Sequence, residues 1–312
     1  MHLSSLTPEF QVLIVYNPAA GQSPNLVATL DRVANLWRDL GWRVDIAATT
    51  APGDATTRAQ QAAADGYNAV IAAGGDGTVN EVMNGLIGTN TALGTLPLGT
   101  VNIWAREMGL SMDMLKAATS LAQSDLTKID VGRAGDRYFL LMAGIGFDAA
   151  VTETVCAQAK KRLGAIAYLK QAIQVAWNFR GVRLNLRIDG KRVRGRILMV
   201  VIGNSQLYGG VFKLTAHATV NDGLLDVCVI KGQGMLSAPQ RLVSIFARHY
   251  NRDSQVKYYQ ARQIEIRAQR GKILPVQVDG DYLGNTPMNF RVVPDMLWIL
   301  VPPNADRSLW QS

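Results

Sequence analysis

The residues in this 312-residue chain whose types and spacing could do chemistry are concentrated in Ile71-Ala72-Ala73-Gly74-Gly75-Asp76-Gly77-Thr78-Val79-Asn80-Glu81. The apolar run from Asn68 to Ala73 reads as a buried strand. It stops at two glycines, and an amphipathic helix is predicted from about Val79. Glycines let a backbone approach a ligand closely, and the unpaired N–H groups of a first helical turn point at it, so a phosphate is the natural occupant. No lysine occurs in the first 115 residues, which excludes a Walker-type lysine. An anionic Asp76 beside phosphates is repulsive unless a divalent cation or several N–H donors offset its charge. An ordinary glycine-rich strand-to-helix turn is the alternative.

Other candidate groups are more ambiguous. Gly144 to Ala149 fits G-x-G-x-x-A after a strand, but no acid follows about 20 positions later and no βαβ unit follows, so a tight turn is the better reading. Thr219-Val220-Asn221-Asp222-Gly223-Leu224-Leu225-Asp226 is either a hairpin or an oxygen-rich cation site. Asp279-Gly280-Asp281 ends an alternating strand and reads as a type I′ turn, one carboxylate of which could deprotonate an alcohol. His2, His217 and His249 are isolated, and Cys156 and Cys228 match no metal spacing. Both cysteines read as reduced core thiols of a cytosolic protein. No G-x-S-x-G elbow is present, so hydrolytic triads are not favoured.

Regular elements must position these groups. Strands are predicted at Phe10 to Asn17, Trp42 to Ala48, Asn68 to Ala73 and Ala92 to Leu96. Helices are predicted from the Ser23-Pro24 pair to Leu40, from Asp54 to Asp65, from Val79 to Leu86 and from Met112 to Gln123. Such alternation predicts a doubly wound parallel α/β sheet, whose ligands sit at the carboxyl ends of strands. The ends marked by Asn17, Thr49, Gly74 and Gly99 should then share one rim. After Leu126 the pattern becomes strand-rich: Arg137 to Ala143, the Val182–Arg196 hairpin, then strands at 198–203, 224–230, 255–267, 272–279 and 296–301. Helices are predicted at 160–179 and 236–249. Strands without regular crossover helices predict a mainly antiparallel domain, a β-sandwich or a barrel, of which the β-sandwich is the expected form. The expected domains are therefore 1–129 and 130–312, with the last residues free to return to the first.

Composition bounds the class. With 48% hydrophobic residues the chain can bury a full core. No apolar stretch reaches the ~20 residues that span a bilayer, and Met1 to Glu9 is too polar for a signal peptide. The net charge of +8 is uneven: −5 over residues 1–130 and +13 over 131–312. In the Val182–Arg196 hairpin, Leu184, Leu186 and Ile188 alternate with Arg183 and Arg187, and Arg192, Arg194 and Arg196 alternate on the return strand. One face is apolar and the other basic, which suits a polyanion such as a membrane surface. Without interleaved aromatic residues the hairpin is not a stacking platform, so nucleic acid is not expected.

Together these pieces resemble the diacylglycerol kinase catalytic-domain family in its bacterial lipid kinase branch, which is also similar to sphingosine and ceramide kinases. They are Asn17-Pro18 with Gly21, Gly74-Gly75-Asp76-Gly77-Thr78, Pro97-Leu98-Gly99-Thr100-Val101-Asn102 with Ala105-Arg106, Gly144 to Asp148, Asp222-Gly223 with Leu225-Asp226, and Asp279-Gly280-Asp281. They keep the family's order over nearly the whole chain. The Gly-Gly-Asp-Gly-Thr element alone is shared with NAD kinases and resembles the phosphofructokinase loop. The resemblance implies an ATP-dependent, Mg2+-requiring kinase acting on a lipid with a free hydroxyl, with its active site in a cleft between the two domains. It implies nucleotide binding by Asn17, Thr49, Gly74, Gly75, Asp76, Gly77, Thr78, Val79, Asn80 and Thr100. It implies a magnesium site at Thr219, Asp222 and Leu224, Asp281 as general base, and a catalytic part for Asp76. A cytoplasmic protein, peripherally attached to an anionic membrane and with room for a homodimer, is the matching expectation. Two departures stand out: Ile103 replaces the family's usual aspartate after Asn102, and Asp281 replaces its usual glutamate, one methylene shorter. Rival readings are an NAD kinase-like or other small-molecule kinase and a non-catalytic nucleotide-binding protein.

Overall fold

The computed structural model describes residues 9–20, 25–146, 149, 180–208, 212–232, 255–269 and 273–311. The predicted helices at 160–179 and 236–249, the Ser23-Pro24 pair, and Gly21, Phe147, Asp148, His2, His249 and Cys156 lie outside these residues. The chain folds as two units. One is Met1–Val131 with Val220–Asp222 and Val293–Ser312, and the other is Gly132–Thr219 with Gly223–Val292.

In the first unit β1 (Gln11–Tyr16), β2 (Arg43–Ala48), β3 (Ala69–Gly74) and β4 (Ala92–Pro97) alternate with α1 (Leu26–Arg38), α2 (Asp54–Ala64) and α3 (Asp76–Leu86). All pairings are parallel, in the order β4-β3-β1-β2, and the end of the chain's last long strand adds alongside β4. β3 and β4 are buried throughout, as strands covered on both faces must be. The chain winds one way from β1 to β2 and the other way from β3 to β4. The carboxyl ends of β1 and β3 therefore flank a topological switch point, where open α/β sheets bind ligands. Two short helices follow, α4 (Ile103–Glu107) and α5 (Met114–Leu121), then β5 (Asp125–Ala134). The Asp113 carboxylate caps α5 by accepting the N–H groups of Leu115 and Lys116.

Two expectations here are corrected. Helix α3 starts at Asp76, three residues before Val79, because extended Gly75 serves as its N-cap and its carbonyl accepts the N–H groups of Thr78 and Val79. Helix α4 was not foreseen. Five residues are too few for a hydrophobic period, and its start depends on Asn102 in the left-handed region at φ 50°.

The second unit is antiparallel. It begins with β6 (Arg137–Phe139), β7 (Met142–Gly146), β8 (Val182–Ile188), β9 (Lys191–Val193) and β10 (Arg196–Gly203). Then come the short pair β11 (Leu207–Tyr208) and β12 (Phe212–Lys213), β13 (Leu225–Lys231), β14 (Val256–Ala261), β15 (Gln263–Ala268), β16 (Pro275–Val278), β17 (Asp281–Asn285) and the start of β18 (Met288–Val301). One run of neighbours is β17-β16-β7-β10-β13-β14, and another is β9-β8-β15-β18. β10 reaches β8 through just two residue pairs, Arg196–Arg183 and Ile197–Val182, at a corner of the sandwich. One core joins the two runs: Ile145, Val200, Val227 and Val276 pack with Leu186, Ile264 and Phe290.

Polar side chains explain where the predicted strands are cut. The expected strand Arg137 to Ala143 breaks at Leu140-Leu141, whose N–H groups are taken by the Asp279 carboxylate. The expected strand 255–267 divides at Arg262, where the N–H groups of Arg262 and Gln263 donate to Asp189. The strand expected at 296–301 is longer, starting at Met288. Gly144 and Gly146, expected in a tight turn, lie inside β7, bonded to β10, and Gly144 pairs with β16 as well. At φ 90°, Gly146 brings its backbone so close to Leu198 that a Cβ would sit 2.6 Å from the Leu198 carbonyl oxygen. Cys228 is buried, and burial raises its thiol to about 11, so it stays protonated at neutral pH.

Candidate active site

The rim of the first unit is built by two glycine loops that interlock. The carbonyl of Gly74, ending β3, accepts N–H groups from Leu98 at 3.0 Å and Gly99 at 3.4 Å, just after β4. A Cβ on Gly99 would lie 2.7 Å from the Gly75 Cα and 2.9 Å from the Asn102 Oδ1. A Cβ on Gly74 would overlap the Thr78 side chain. These two glycines are required by packing. Gly77 is different: it is exposed, and a Cβ there would meet nothing within 4 Å. In the first turn of α3, it leaves open the approach that an anion at a helix N-terminus would use.

The second loop closes on itself through Asn102. Its Oδ1 accepts the Gly99 N–H at 2.9 Å and its Nδ2 donates to the Gly99 carbonyl at 2.7 Å. Sequence reasoning had given Asn102 no task beyond its place in a motif. Thr100 is exposed at the loop tip. A concavity of 380 Å³ borders the loop, lined by Leu98, Gly99, Thr100, Asn102, Met112 and Met114 among others.

Asp76 is compensated by N–H donors. Its carboxylate accepts the N–H of Ile103 at 3.0 Å and of Trp104 at 3.1 Å, so it caps α4 from a distant segment. Burial is the main influence on this group and raises its carboxyl above the ordinary value of 3.8. The N–H bonds from Ile103, Trp104 and its own residue, and the charge of Arg106, pull the other way. A carboxylate whose folded pKa is raised contributes stability that is full below the unfolded value and lost as pH rises through the folded one. The stability of the protein minus that of Asp76→Asn is therefore expected to fall as pH rises from 3.8 through the folded pKa. Denaturant titrations across that range check the slope, and a rising difference would mean that the N–H bonds outweigh burial.

The other rim residues are placed as follows. Asn17 follows β1, donates its N–H to the Ala73 carbonyl, and accepts the Ala19 N–H on its Oδ1 at 2.9 Å. Thr49 follows β2 and donates its N–H to Tyr16. Thr78, Val79 and Asn80 are buried, and Asn80 accepts from Asn84 through both its carbonyl and its side chain.

In the second unit the Asp279-Gly280 turn joins β16 to β17, with φ of 48° and 85° as a type I′ turn requires. Asp279 is buried, and its carboxylate accepts N–H groups from Leu140, Leu141 and Met142 at 2.8–2.9 Å. The Gly280 N–H donates to Gln277 Oε1 at 2.8 Å. Locked by these contacts, the turn presents Asp281, whose carboxylate pairs with Arg137 at 3.2 Å. Arg137 had no sequence signal, being 144 positions away.

The Thr219–Leu224 segment turns through Gly223 at φ 71°, with Asp222 half-buried. The buried Thr219 Oγ1 has no hydrogen-bond partner among the described residues. Carbonyls, one carboxylate and a spare hydroxyl are hard oxygen donors of the kind magnesium takes. Among the described residues no group of three or more His, Cys, Asp or Glu side chains could hold an ion, so a cation here would draw its remaining ligands from water and phosphate. No described helix is long and apolar enough to cross a membrane.

The chain is similar to known proteins in sequence and in fold. Residues 11–134 match the diacylglycerol kinase catalytic domain, and residues 142–301 match the YegS C-terminal NAD kinase beta sandwich-like domain. A Bacillus subtilis (strain 168) protein named diacylglycerol kinase is 30% identical over 95% of this chain and 98% of its own length. A Pseudomonas putida protein described as a probable lipid kinase YegS-like is 35% identical over 86% of this chain and 88% of its own. A diacylglycerol kinase-type crystal structure from Bacillus anthracis str. Sterne superposes with a TM-score of 0.81 at 26% identity, covering 96% of this chain and 100% of that one.

Proposed function

We propose, from the premise that this chain belongs to the diacylglycerol kinase catalytic-domain family and is a lipid kinase, that it moves the γ-phosphate of ATP to the hydroxyl of a lipid such as diacylglycerol. The observation that carries this reading is the pair of interlocked loops, Gly74–Thr78 and Pro97–Asn102, at the carboxyl rim of a parallel sheet with the helix face at Gly77 left open. Residues 1–129 are assigned the nucleotide and residues 130–312 the lipid.

In this reading the phosphates lie over Gly75, Gly77 and the α3 N-terminus, with Asn17, Thr49 and Thr100 around them and the base in the concavity beside Leu98 and Met112. The buried Thr78, Val79 and Asn80 shape the loop from below. Asp76 keeps α4 and the second loop in register with the first. Asp281 takes the proton of the lipid alcohol as its oxygen forms the new bond to the γ-phosphorus and the bond to ADP breaks. The products are a phosphorylated lipid and ADP, and the proton remains on Asp281 until water removes it. Magnesium held by the Thr219 and Leu224 carbonyls and the Asp222 carboxylate would supply charge neutralisation for the phosphates. The protein works from the cytoplasm as a peripheral protein at an anionic leaflet.

Labelled ATP with mixed micelles of diacylglycerol, sphingosine and other lipid alcohols tests the reading. Label in a lipid is expected; label passed to soluble NAD without lipid, or ATP binding with no transfer, overturns it. Two glycine variants test the nucleotide site. Gly77→Ala is expected to lower ATP affinity about tenfold or more with no loss of thermal stability, because the added methyl meets only the ligand. Gly99→Ala forces backbone apart, so it should cost about 1–3 kcal/mol of stability as well as ATP affinity. Calorimetric titration and thermal unfolding separate the two.

A further inference from the structure

At the sandwich corner, where β10 meets β8, lies a concavity of 430 Å³ lined by Arg183, Arg192, Arg194 and Arg196, with Leu184 and Gln269 completing most of its wall. Among the described residues no acidic side chain lines it. Arg183 and Arg196 stand directly opposite each other in the β8–β10 pairing, and Arg187 stands opposite Arg192 in β8–β9. Like charges directly opposite on paired strands destabilise a sheet. Here the pattern occurs twice in one hairpin, and none of these five arginines forms an ion pair among the described residues. The link between the strands is Gly195, at φ 138°, a conformation that turns Arg194 and Arg196 around the same space. Beside the four arginines that line the concavity stands a lysine: Lys231 Nζ is 4.0 Å from where a Gly195 Cβ would lie. Folding thus gathers these arginines at a cost; Glu265 stands opposite Arg187 on β15, whereas Arg183, Arg192, Arg194 and Arg196 form no ion pair among the described residues.

We infer that this corner is a discrete pocket for the phosphate of an anionic phospholipid head group, separate from the acceptor lipid. Planar guanidinium forks suit phosphate oxygens, and four of them around one concavity can hold one phosphodiester. A lipid is favoured over a nucleic acid because no aromatic side chain lines the pocket among the described residues. It is also favoured because a kinase of lipid alcohols works at a leaflet, and in that respect the inference rests on the function proposed above. The ligand would be a resident anionic lipid that holds the enzyme where its acceptor is found.

The test uses the full chain and two double variants that each remove two positive charges from the same hairpin. Arg194→Gln with Arg196→Gln alters the pocket, whereas Arg187→Gln with Lys191→Gln alters hairpin positions outside it. Binding is measured to vesicles of phosphatidylcholine and of an equal mixture with phosphatidylglycerol. The pocket variant is expected to bind the mixed vesicles about 30-fold more weakly, about 2 kcal/mol at about 1 kcal/mol per basic residue. The outside variant should lose less than about fourfold, and phosphatidylcholine alone should bind none of the three proteins. Equal losses in the two variants, or none in either, overturn the pocket. So does wild-type protein that binds soluble glycerol phosphate or duplex DNA through these arginines while ignoring the vesicles. Turnover of a short-chain diacylglycerol in neutral detergent, unchanged in both variants, serves as a separate check. No turnover in the wild type there would sink the kinase reading and leave the vesicle result standing. Unchanged thermal unfolding confirms that each variant folds.

Discussion

Asp281→Asn is expected to lower turnover of a lipid alcohol by about 10²- to 10⁴-fold, the range that a positioned general base supplies. The substitution keeps the size of the side chain and an oxygen that can accept from Arg137, now 3.2 Å from the carboxylate. It removes the ability to take a proton and weakens the ion pair with Arg137, so kcat should fall while ATP affinity is unchanged. Asp281→Glu is the informative companion. If the family's longer acid is the better fit, activity rises; if the turn has adjusted to the shorter one, activity falls. Turnover of Asp281→Asn within about tenfold of the wild type would remove this carboxylate from the chemistry.

Asp279→Ala should be strongly destabilising, at about 4 kcal/mol. One carboxylate there satisfies three N–H groups, those of Leu140, Leu141 and Met142, and all three residues are buried. Donors left without a partner in a buried setting cost about 1–3 kcal/mol each, partly recovered by relaxation. Asp279 also sits at φ 48°, which alanine tolerates poorly. Asp279→Asn keeps one acceptor oxygen and the turn preference, and should lose about half as much. Denaturant unfolding measures both. A loss below about 1 kcal/mol for alanine would show that the three N–H groups find other partners. Turnover should fall with stability, because Asp281 is carried by the same turn.

The sequence announced some of this directly. Two apolar runs, Asn68 to Ala73 and Ala92 to Leu96, each leading into a glycine turn, were enough to place both rim loops after parallel strands, observed at Ala69–Gly74 and Ala92–Pro97. Asp189-Gly190 and Asp279-Gly280 declared their hairpins through residue type alone, because few other pairs accept two successive positive φ angles. What escaped were contacts between distant positions. Nothing near Asp76 says that its carboxylate will cap a helix starting at Ile103, and nothing near Leu140 says that Asp279 will cut its strand. Asp189 hides a second task in the same way, since its turn is local but its carboxylate reaches Arg262. Short-range pattern gives elements and turns; the pairing of buried polar groups depends on the finished topology.

The long last strand has a consequence for how the protein is made. Met288–Val301 pairs first with β15 and later, at Ile299, with Leu93 of β4, a partner synthesised some two hundred residues earlier. Met296 also accepts the Gly88 N–H, and the Leu309 carbonyl accepts the N–H of Val220. On the ribosome, the early α/β half must therefore wait with one edge of its sheet unpaired until nearly the whole chain has emerged. An exposed edge strand is a hazard for aggregation. Loss of the final segment should therefore yield an insoluble polypeptide rather than a free-standing nucleotide-binding half.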